Sequence, residues 1–204
     1  MANTNAPFGF RQYLGTGSPP TYEQVAFSNG GINFNQSAIY YGDPVQRVGA
    51  ADGSLAPSTT GTAVAFVGVF QGCKYLSTAQ KRTVWSNYWP GSDLTTGNNA
   101  TMEAYVITDE GAQYVVQSDA TGATQLQMGS NVNHNMGTGN AANGLSGAFI
   151  TPGTTAAVTA TLPWRMVRLI LDPPGSQGTQ SGAFNWVMVT PNNIETRALT
   201  SVVA

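Results

Sequence analysis

Glycine and proline interrupt almost every stretch of a dozen residues in this chain, and that spacing disfavours long helices. The 204 residues include 24 Gly and 11 Pro, and 24 Thr and 17 Val lie between them. Both are β-branched, so they lose side-chain freedom in a helix and pack well on a pleated sheet. We therefore predict an all-β fold made of short strands.

Short apolar or alternating runs lie between the turn residues, and such runs are typical of β-strands. The spacing favours a β-sandwich or barrel, because βαβ units would need helices between the strands. We expect one β-rich domain over residues 21–204. The predicted strands are residues 22–27, 37–41, 45–48, 63–71, 83–86, 101–108, 113–117, 156–161, 166–171 and 184–189.

The connections between these strands carry their own predictions. Asp109-Glu110-Gly111 is expected to join strands 101–108 and 113–117 as a hairpin. The apolar run 63–70 indicates a central strand buried on both faces. Residues 129–147 are rich in Asn and Gly and predict a long polar loop.

Charge is scarce in this chain. Only 9% of the residues are charged, with eight Lys and Arg, ten acids and a net charge of -2, against about 25% in an average soluble domain. Binding to nucleic-acid phosphates or to an anionic membrane surface needs clustered basic residues, so neither partner is expected. Protein interfaces are depleted of Lys and Glu, and we predict a chain that works in an assembly.

The first 20 residues predict an extended N-terminal arm rather than a free tail. They contain Phe8, Phe10 and Tyr13 without a strand pattern. Apolar side chains of this size need a surface to cover them, and we expect the arm to dock on a neighbouring subunit. The first residues have neither a basic start nor an apolar stretch, so no secretory signal is expected.

The residues that could support nucleophilic catalysis are few. The single histidine, His134, lies among Asn residues, and we expect it to be exposed and to titrate normally. The single cysteine, Cys73, follows an apolar run, and we expect it to be a buried core residue. Residues 129–147 contain no acid that could bind calcium. We predict no catalytic residue, no cofactor and no metal, and therefore no enzyme.

The aromatic residues Trp85, Tyr88 and Trp89 lie within five positions of one another. Exposed rings at these positions could anchor a protein interface or stack on sugars. Buried rings would instead fill the core. The sequence alone leaves both readings open.

Several short runs together resemble the capsid decoration, or cement, proteins of tailed bacteriophage heads. Their order and spacing carry the resemblance over most of the chain, from residue 6 to about residue 190. The runs are Ala6-Pro-Phe-Gly-Phe-Arg11, Tyr41-Gly-Asp-Pro-Val45, Gly68-Val-Phe-Gln-Gly-Cys-Lys-Tyr75, Ser86-Asn-Tyr-Trp-Pro90, Ala104-Tyr-Val106, Val116-Gln-Ser-Asp119 and Leu162-Pro-Trp-Arg165.

The resemblance implies a jelly-roll-like domain on the outer capsid surface of a virion assembled in the host cytoplasm. It implies no catalytic residue. The partners would be the major capsid protein, whose neighbouring subunits the chain would bridge, and neighbouring or oligomeric copies of the chain itself. The candidate interface residues are Phe8, Phe10, Arg11, Tyr13, Trp85, Tyr88 and Trp89.

A carbohydrate-binding β-sandwich displayed on a phage particle or tail is the alternative. In that case Trp85, Tyr88 and Trp89 would stack on sugar rings. The exposure of the aromatic residues discriminates between the two functions. A flat apolar patch favours assembly, whereas a concave aromatic groove with polar side chains around it favours sugar.

Overall fold

The computed structural model describes residues 2–15, 23–25, 32, 37–47, 54–59, 66–93 and 102–197. These residues form antiparallel sheets packed together as an all-β sandwich, which confirms the predicted fold class. The described helical elements are one turn, α1 (Pro152–Thr155), and 3-10 turns at Gln125–Gln127 and Glu195–Arg197. Within the described ranges, no helix has the length and apolarity needed to cross a bilayer.

The first sheet has five strands, and every neighbouring pair in it is antiparallel. The N-terminal strand forms one edge, and the centre of the sheet is built from the second half of the chain. The order is β1 (Arg11–Leu14), β8 (Gln113–Gln117), β13 (Trp186–Pro191), β12 (Trp164–Leu169) and β9 (Asn131–Val132).

The second sheet is organised around one long central strand, β5. Its order is β2 (Glu23–Val25), β7 (Glu103–Ile107), β5 (Gly68–Leu76), β3 (Pro44–Arg47) and β4 (Leu55–Pro57), with β6 (Thr83–Ser86) also paired to β5. Strand β7 runs along one side of β5, and β3 and β6 share the other side. A separate ribbon pairs β10 (His134–Asn135) with β11 (Phe149–Ile150).

Two hydrophobic cores bury both faces of part of the second sheet. Val69 and Ile107 face the first sheet in the larger core, while their neighbours Phe70 and Val106 face the smaller core. This alternation explains why the run before Gln71 is apolar without interruption. The prediction of a doubly buried central strand is confirmed for its described part, where β5 begins at Gly68 and continues to Leu76. Residues 63–65 of the predicted strand lie outside the described residues.

Several predicted strands differ from the observed ones. Residues 156–161 form no strand, and Ala157 makes only an isolated bridge to Asn131. The predicted strand 37–41 is likewise reduced to isolated bridges at Ile39 and Tyr41. Strands β1, β4, β9, β10 and β11, each of two to four residues, were not predicted.

The predicted hairpin at Asp109-Glu110-Gly111 is wrong. Strand β7 belongs to the second sheet and β8 to the first, so this turn carries the chain from one sheet to the other. A hairpin and a crossing between sheets use the same turn residues. The jelly-roll topology is not confirmed by this strand order.

The N-terminal segment packs on the chain's own sandwich. The Asn3 side chain donates hydrogen bonds to the Gln180 and Ala183 carbonyls, and the Ala6 amide donates to the Gln117 side chain. Further on, β1 joins the first sheet. Residues 2–15 therefore do not form the separate arm that was expected. Residues 16–20 of that arm lie outside the described residues.

Candidate functional site

The structure separates the predicted interface residues into exposed and buried groups. Tyr13 on β1 is 58% exposed and Trp85 on β6 is 67% exposed. Phe8 is half-buried and meets Trp186 edge-on, with 5.3 Å between ring centroids. Tyr88 is half-buried and stacks on Tyr40 at 5.7 Å. Of these residues, Tyr13 and Trp85 are the ones with large surfaces left for a partner.

Phe10 and Trp89 cannot serve as interface residues, which corrects two of the sequence assignments. Both are fully buried. Phe10 stacks on Trp164 in the larger core, and Trp89 meets Tyr75 edge-on in the smaller core. The sequence could not show which of Trp85 and Trp89 is buried, because burying either indole ring gains about the same hydrophobic free energy.

Arg11, the remaining predicted interface residue, is half-buried on β1. Its guanidinium lies over the Tyr41 ring, 4.4 Å from the centroid. A guanidinium over an aromatic face is attracted by the electrons of the ring. Arg11 therefore ties β1 to the segment that precedes β3 and is already engaged within the chain.

Strand β1 is an edge of the first sheet. Among the described strands, β8 is the one that pairs with it. Tyr13 and Leu14 at its end are 58% and 52% exposed. An edge strand presents backbone donors and acceptors that can pair with another chain. Exposed apolar side chains on the same strand would add buried area to such a contact.

An open cleft of about 560 Å³ lies beside β1. Trp85 and Lys74 are cross-strand neighbours, as are Lys74 and Glu103, so these side chains share one face of the second sheet. Ile107 lies on this same face of the second sheet, where the first sheet covers it. Trp85 lies on the part of the face that the first sheet leaves exposed. The cleft is lined by Gln12, Tyr41, Gln71, Gly72, Cys73, Trp85, Ser86, Asn87 and Tyr105.

The lining of this cleft is neutral: no Asp, Glu, Lys or Arg among the described residues contributes to it. Two charged side chains on the neighbouring strands make contacts within the chain. Lys74 Nζ lies 3.1 Å from Glu103 Oε2, and Arg11 lies over Tyr41. Polar contacts in the cleft must therefore come from amides and hydroxyls.

His134 is buried, which contradicts the expectation of an exposed histidine with ordinary titration. It is 2% exposed, and its Nδ1 accepts a hydrogen bond from Trp164 Nε1 at 3.2 Å. Nε2 is buried without a partner of good geometry. Burial lowers the pKa of His134 to about 4, and the Ser58 backbone, which favours the charged ring, offsets this only in part. The ring is therefore neutral at neutral pH.

Residues 129–147 are more ordered than the predicted polar loop. They contain β9, β10 and hydrogen-bonded turns, and Asn131, Asn133 and His134 are all buried. The Asn131 side chain donates to the Thr159 carbonyl and accepts from Arg165. Asparagine side chains therefore form hydrogen bonds with backbone and side-chain groups in this segment. An Asn-rich composition does not show whether those side chains are buried in this way or exposed in a loop.

Cys73 is fully buried, which confirms the expectation for this residue. Its thiol contacts the Tyr88 carbonyl at 3.6 Å, and burial raises its pKa to about 12. A thiol with such a pKa is protonated at neutral pH and is a poor nucleophile. Within the described ranges, no group of three His, Cys, Asp or Glu residues could hold a metal ion.

Asp43 is a buried acid in the run Tyr41-Gly-Asp-Pro-Val45. It is 3% exposed, accepts a hydrogen bond from Ser146 Oγ at 2.5 Å and accepts another from the Tyr40 amide at 2.7 Å. Burial raises its pKa to about 6, and the two hydrogen bonds oppose that rise. Asp43 thereby links the turn before β3 to residue 146, 103 positions away.

Comparison with known proteins yields no match: no family model, no curated protein and no solved structure matches the chain. The likeness to capsid decoration proteins is therefore carried by the sequence motifs alone.

Proposed function

We propose that this chain is a virion structural protein that decorates the outside of a phage capsid and stabilises it by bridging neighbouring major capsid protein subunits. The proposal combines the resemblance of the sequence motifs with the composition of the chain. A chain with only 9% charged residues is suited to lasting contact with other proteins. In this proposal the chain has no catalytic task.

The exposed edge strand β1 is the observation that carries the proposal. It pairs with β8 on one side, and Tyr13 and Leu14 are more than half exposed. A capsid strand or a neighbouring copy could add to this edge through backbone hydrogen bonds. The two apolar side chains would then be covered, which favours association.

The many identical binding sites on a capsid would strengthen the retention of a chain that binds through β1. A capsid presents many identical sites, and a chain that touches two neighbouring subunits makes its second contact intramolecularly. The effective concentration for that second contact is high, so two weak contacts give strong retention. A small interface at β1 is therefore compatible with stable attachment.

Co-sedimentation with capsids assembled without this chain tests the assignment of β1. The double variant Tyr13→Ser, Leu14→Ser removes the apolar side chains of the edge. We expect it to fold like the parent and to bind capsids at least about tenfold more weakly, a loss of about 1.4 kcal/mol.

The control is Leu126→Ser, which changes a side chain that is 97% exposed in a turn away from β1. It is expected to bind like the parent. Equal binding by the parent and the β1 double variant would show that the edge strand is not the attachment surface.

A further inference from the structure

The cleft beside Trp85 combines surfaces that suit a carbohydrate. A sugar ring has one face of C–H bonds and a rim of hydroxyl groups. Trp85 offers a largely exposed aromatic surface, and Tyr41 and Tyr105 line the same space. Gln12, Gln71 and Asn87 provide amides that can donate to and accept from hydroxyls. The volume of about 560 Å³ lies within the range of roughly 300–1,000 Å³ found for small-molecule sites.

We propose that this cleft binds a neutral glycan, with Trp85 against the C–H face of one sugar ring and the cleft amides on its hydroxyls. The cleft borders β1 through Gln12, but the two side chains proposed to meet the capsid, Tyr13 and Leu14, do not line it. The concave shape and the mixture of aromatic and amide groups set the cleft apart from exposed apolar residues such as Leu126 and Val158.

The absence of charge in the described lining selects the class of glycan. A sialylated or sulfated sugar would bring an anion into a cleft where Lys74 is paired with Glu103 and Arg11 is held over Tyr41. That anion would lose hydration in a cleft whose described lining holds no cationic side chain. A single-stranded nucleic acid would also stack on aromatic rings, but it needs a basic groove to follow its backbone.

Two of the cleft amides are held in place. Gln71 donates a hydrogen bond to the Phe70 carbonyl at 3.2 Å, and Asn87 donates to the Asn143 carbonyl at 3.0 Å. Their carbonyl oxygens are the groups that would accept from sugar hydroxyls. Fixed amides lose little freedom on binding, which favours affinity.

Gln12 provides a further indication of a polar ligand. Both polar atoms of its amide are buried without a hydrogen-bond partner. A buried amide without partners costs free energy relative to one that is paired. Both atoms are closed off from solvent, so a polar ligand would pair with them after the Gln12 side chain turns toward the cleft.

The structure changes which aromatic residues such a site contains. Of Trp85, Tyr88 and Trp89, Trp85 alone lines the cleft. Tyr41 and Tyr105 take the places of the other two, although they are distant from Trp85 in sequence. Tyr105 on β7 and Trp85 on β6 lie on the two strands that flank β5.

A glycan array probed with the isolated chain, without capsids, tests the proposal. We expect binding to neutral glycans and weaker binding to their sialylated and sulfated forms. Titration of a bound neutral glycan should change Trp fluorescence in the parent. Trp85→Ala should weaken binding at least about tenfold, and Trp85→Phe, which keeps a smaller ring, should weaken it less.

Tyr13→Ala is the matched control, because Tyr13 is an exposed aromatic residue on β1 that does not line the cleft. It should bind the glycan like the parent. An array without any bound neutral glycan, a preference for anionic glycans, or unchanged binding by Trp85→Ala would each overturn the proposal. None of these outcomes bears on capsid attachment, which is measured in a separate experiment.

Discussion

Phe10 stacks on Trp164 with 4.2 Å between ring centroids and 17° between ring planes, so a residue near the start of the described chain completes the larger core. The Phe10 amide also donates a hydrogen bond to the Gly42 carbonyl. The N-terminal segment is therefore part of the folded domain and not merely a binding arm.

Phe10→Ala is expected to lower the free energy of unfolding by about 3–5 kcal/mol, because it removes a fully buried ring and leaves a cavity beside Trp164. Urea denaturation measures the effect. Tyr13→Ala is the control, and its effect should stay within about 0.5 kcal/mol because the ring is mostly exposed. Similar losses in both variants would contradict the assignment of Phe10 to the core.

Asp43 and His134 are expected to give opposite pH dependences. The pKa of Asp43 rises from 3.8 to about 6 on folding, so the native state keeps a proton that the unfolded state has lost, and stability falls across this window as pH rises. The pKa of His134 falls from 6.5 to about 4, so the unfolded state binds the extra proton and stability rises with pH. Between about pH 4 and pH 6 the two contributions largely cancel.

Single variants separate these contributions. Asp43→Asn should remove the Asp43 contribution to the pH dependence and keep that of His134. The free energy of unfolding of this variant, relative to the parent, should therefore increase as pH rises from about 4 to 6. His134→Asn, which keeps an acceptor for Trp164 Nε1, should show the opposite trend. Each trend should amount to about 3 kcal/mol over the window, and urea denaturation at several pH values measures it. Parallel pH profiles for both variants and the parent would contradict the assigned burial.

Gly122 and Gly129 provide a matched test of backbone packing. Both have positive φ, +78° and +88°, but a Cβ at Gly122 would lie 2.1 Å from the Gly182 carbonyl oxygen, whereas nothing lies within 4 Å at Gly129. Gly129→Ala should cost only the conformational strain, about 1–2 kcal/mol. Gly122→Ala should cost at least about 2 kcal/mol more, because the backbone must move. Thermal unfolding compares them, and equal losses would argue against the close approach of residues 122 and 182.

Salt is expected to have little effect on attachment to the capsid. Raising the ionic strength to 1 M shortens the Debye length to about 3 Å and screens exposed ion pairs. If attachment depends on apolar burial and backbone pairing at β1, the amount of chain that sediments with capsids should change little. A steep loss of bound chain at high salt would indicate that the basic residues form the contact.

The fold class followed from residue spacing, but the sheet membership of the strands did not. The turn at Asp109-Glu110-Gly111 satisfies the local rules of a hairpin and instead connects two sheets. Whether a turn closes a hairpin or crosses between sheets depends on which distant strand offers a better partner. For β8 those partners are β1 and β13, on opposite sides of it.

The burial of the candidate site residues likewise depends on tertiary contacts that the local sequence does not show. Trp85 and Trp89 lie four positions apart, yet one is mostly exposed and the other fully buried. His134 lies among Asn residues that suggest solvent, and Trp164 holds it in the core. Cys73 was predicted correctly because it lies within an apolar strand, where the local pattern and the tertiary environment agree.

The rupture temperature of capsids tests the central claim most directly. Capsids assembled without this chain should be heated alone and with a saturating amount of the purified parent chain, with genome release and bound chain both measured. We expect the chain to bind in a fixed ratio to the major capsid protein and to raise the rupture temperature. A chain that does not bind, or that binds without changing the rupture temperature, would contradict a decorating and stabilising function.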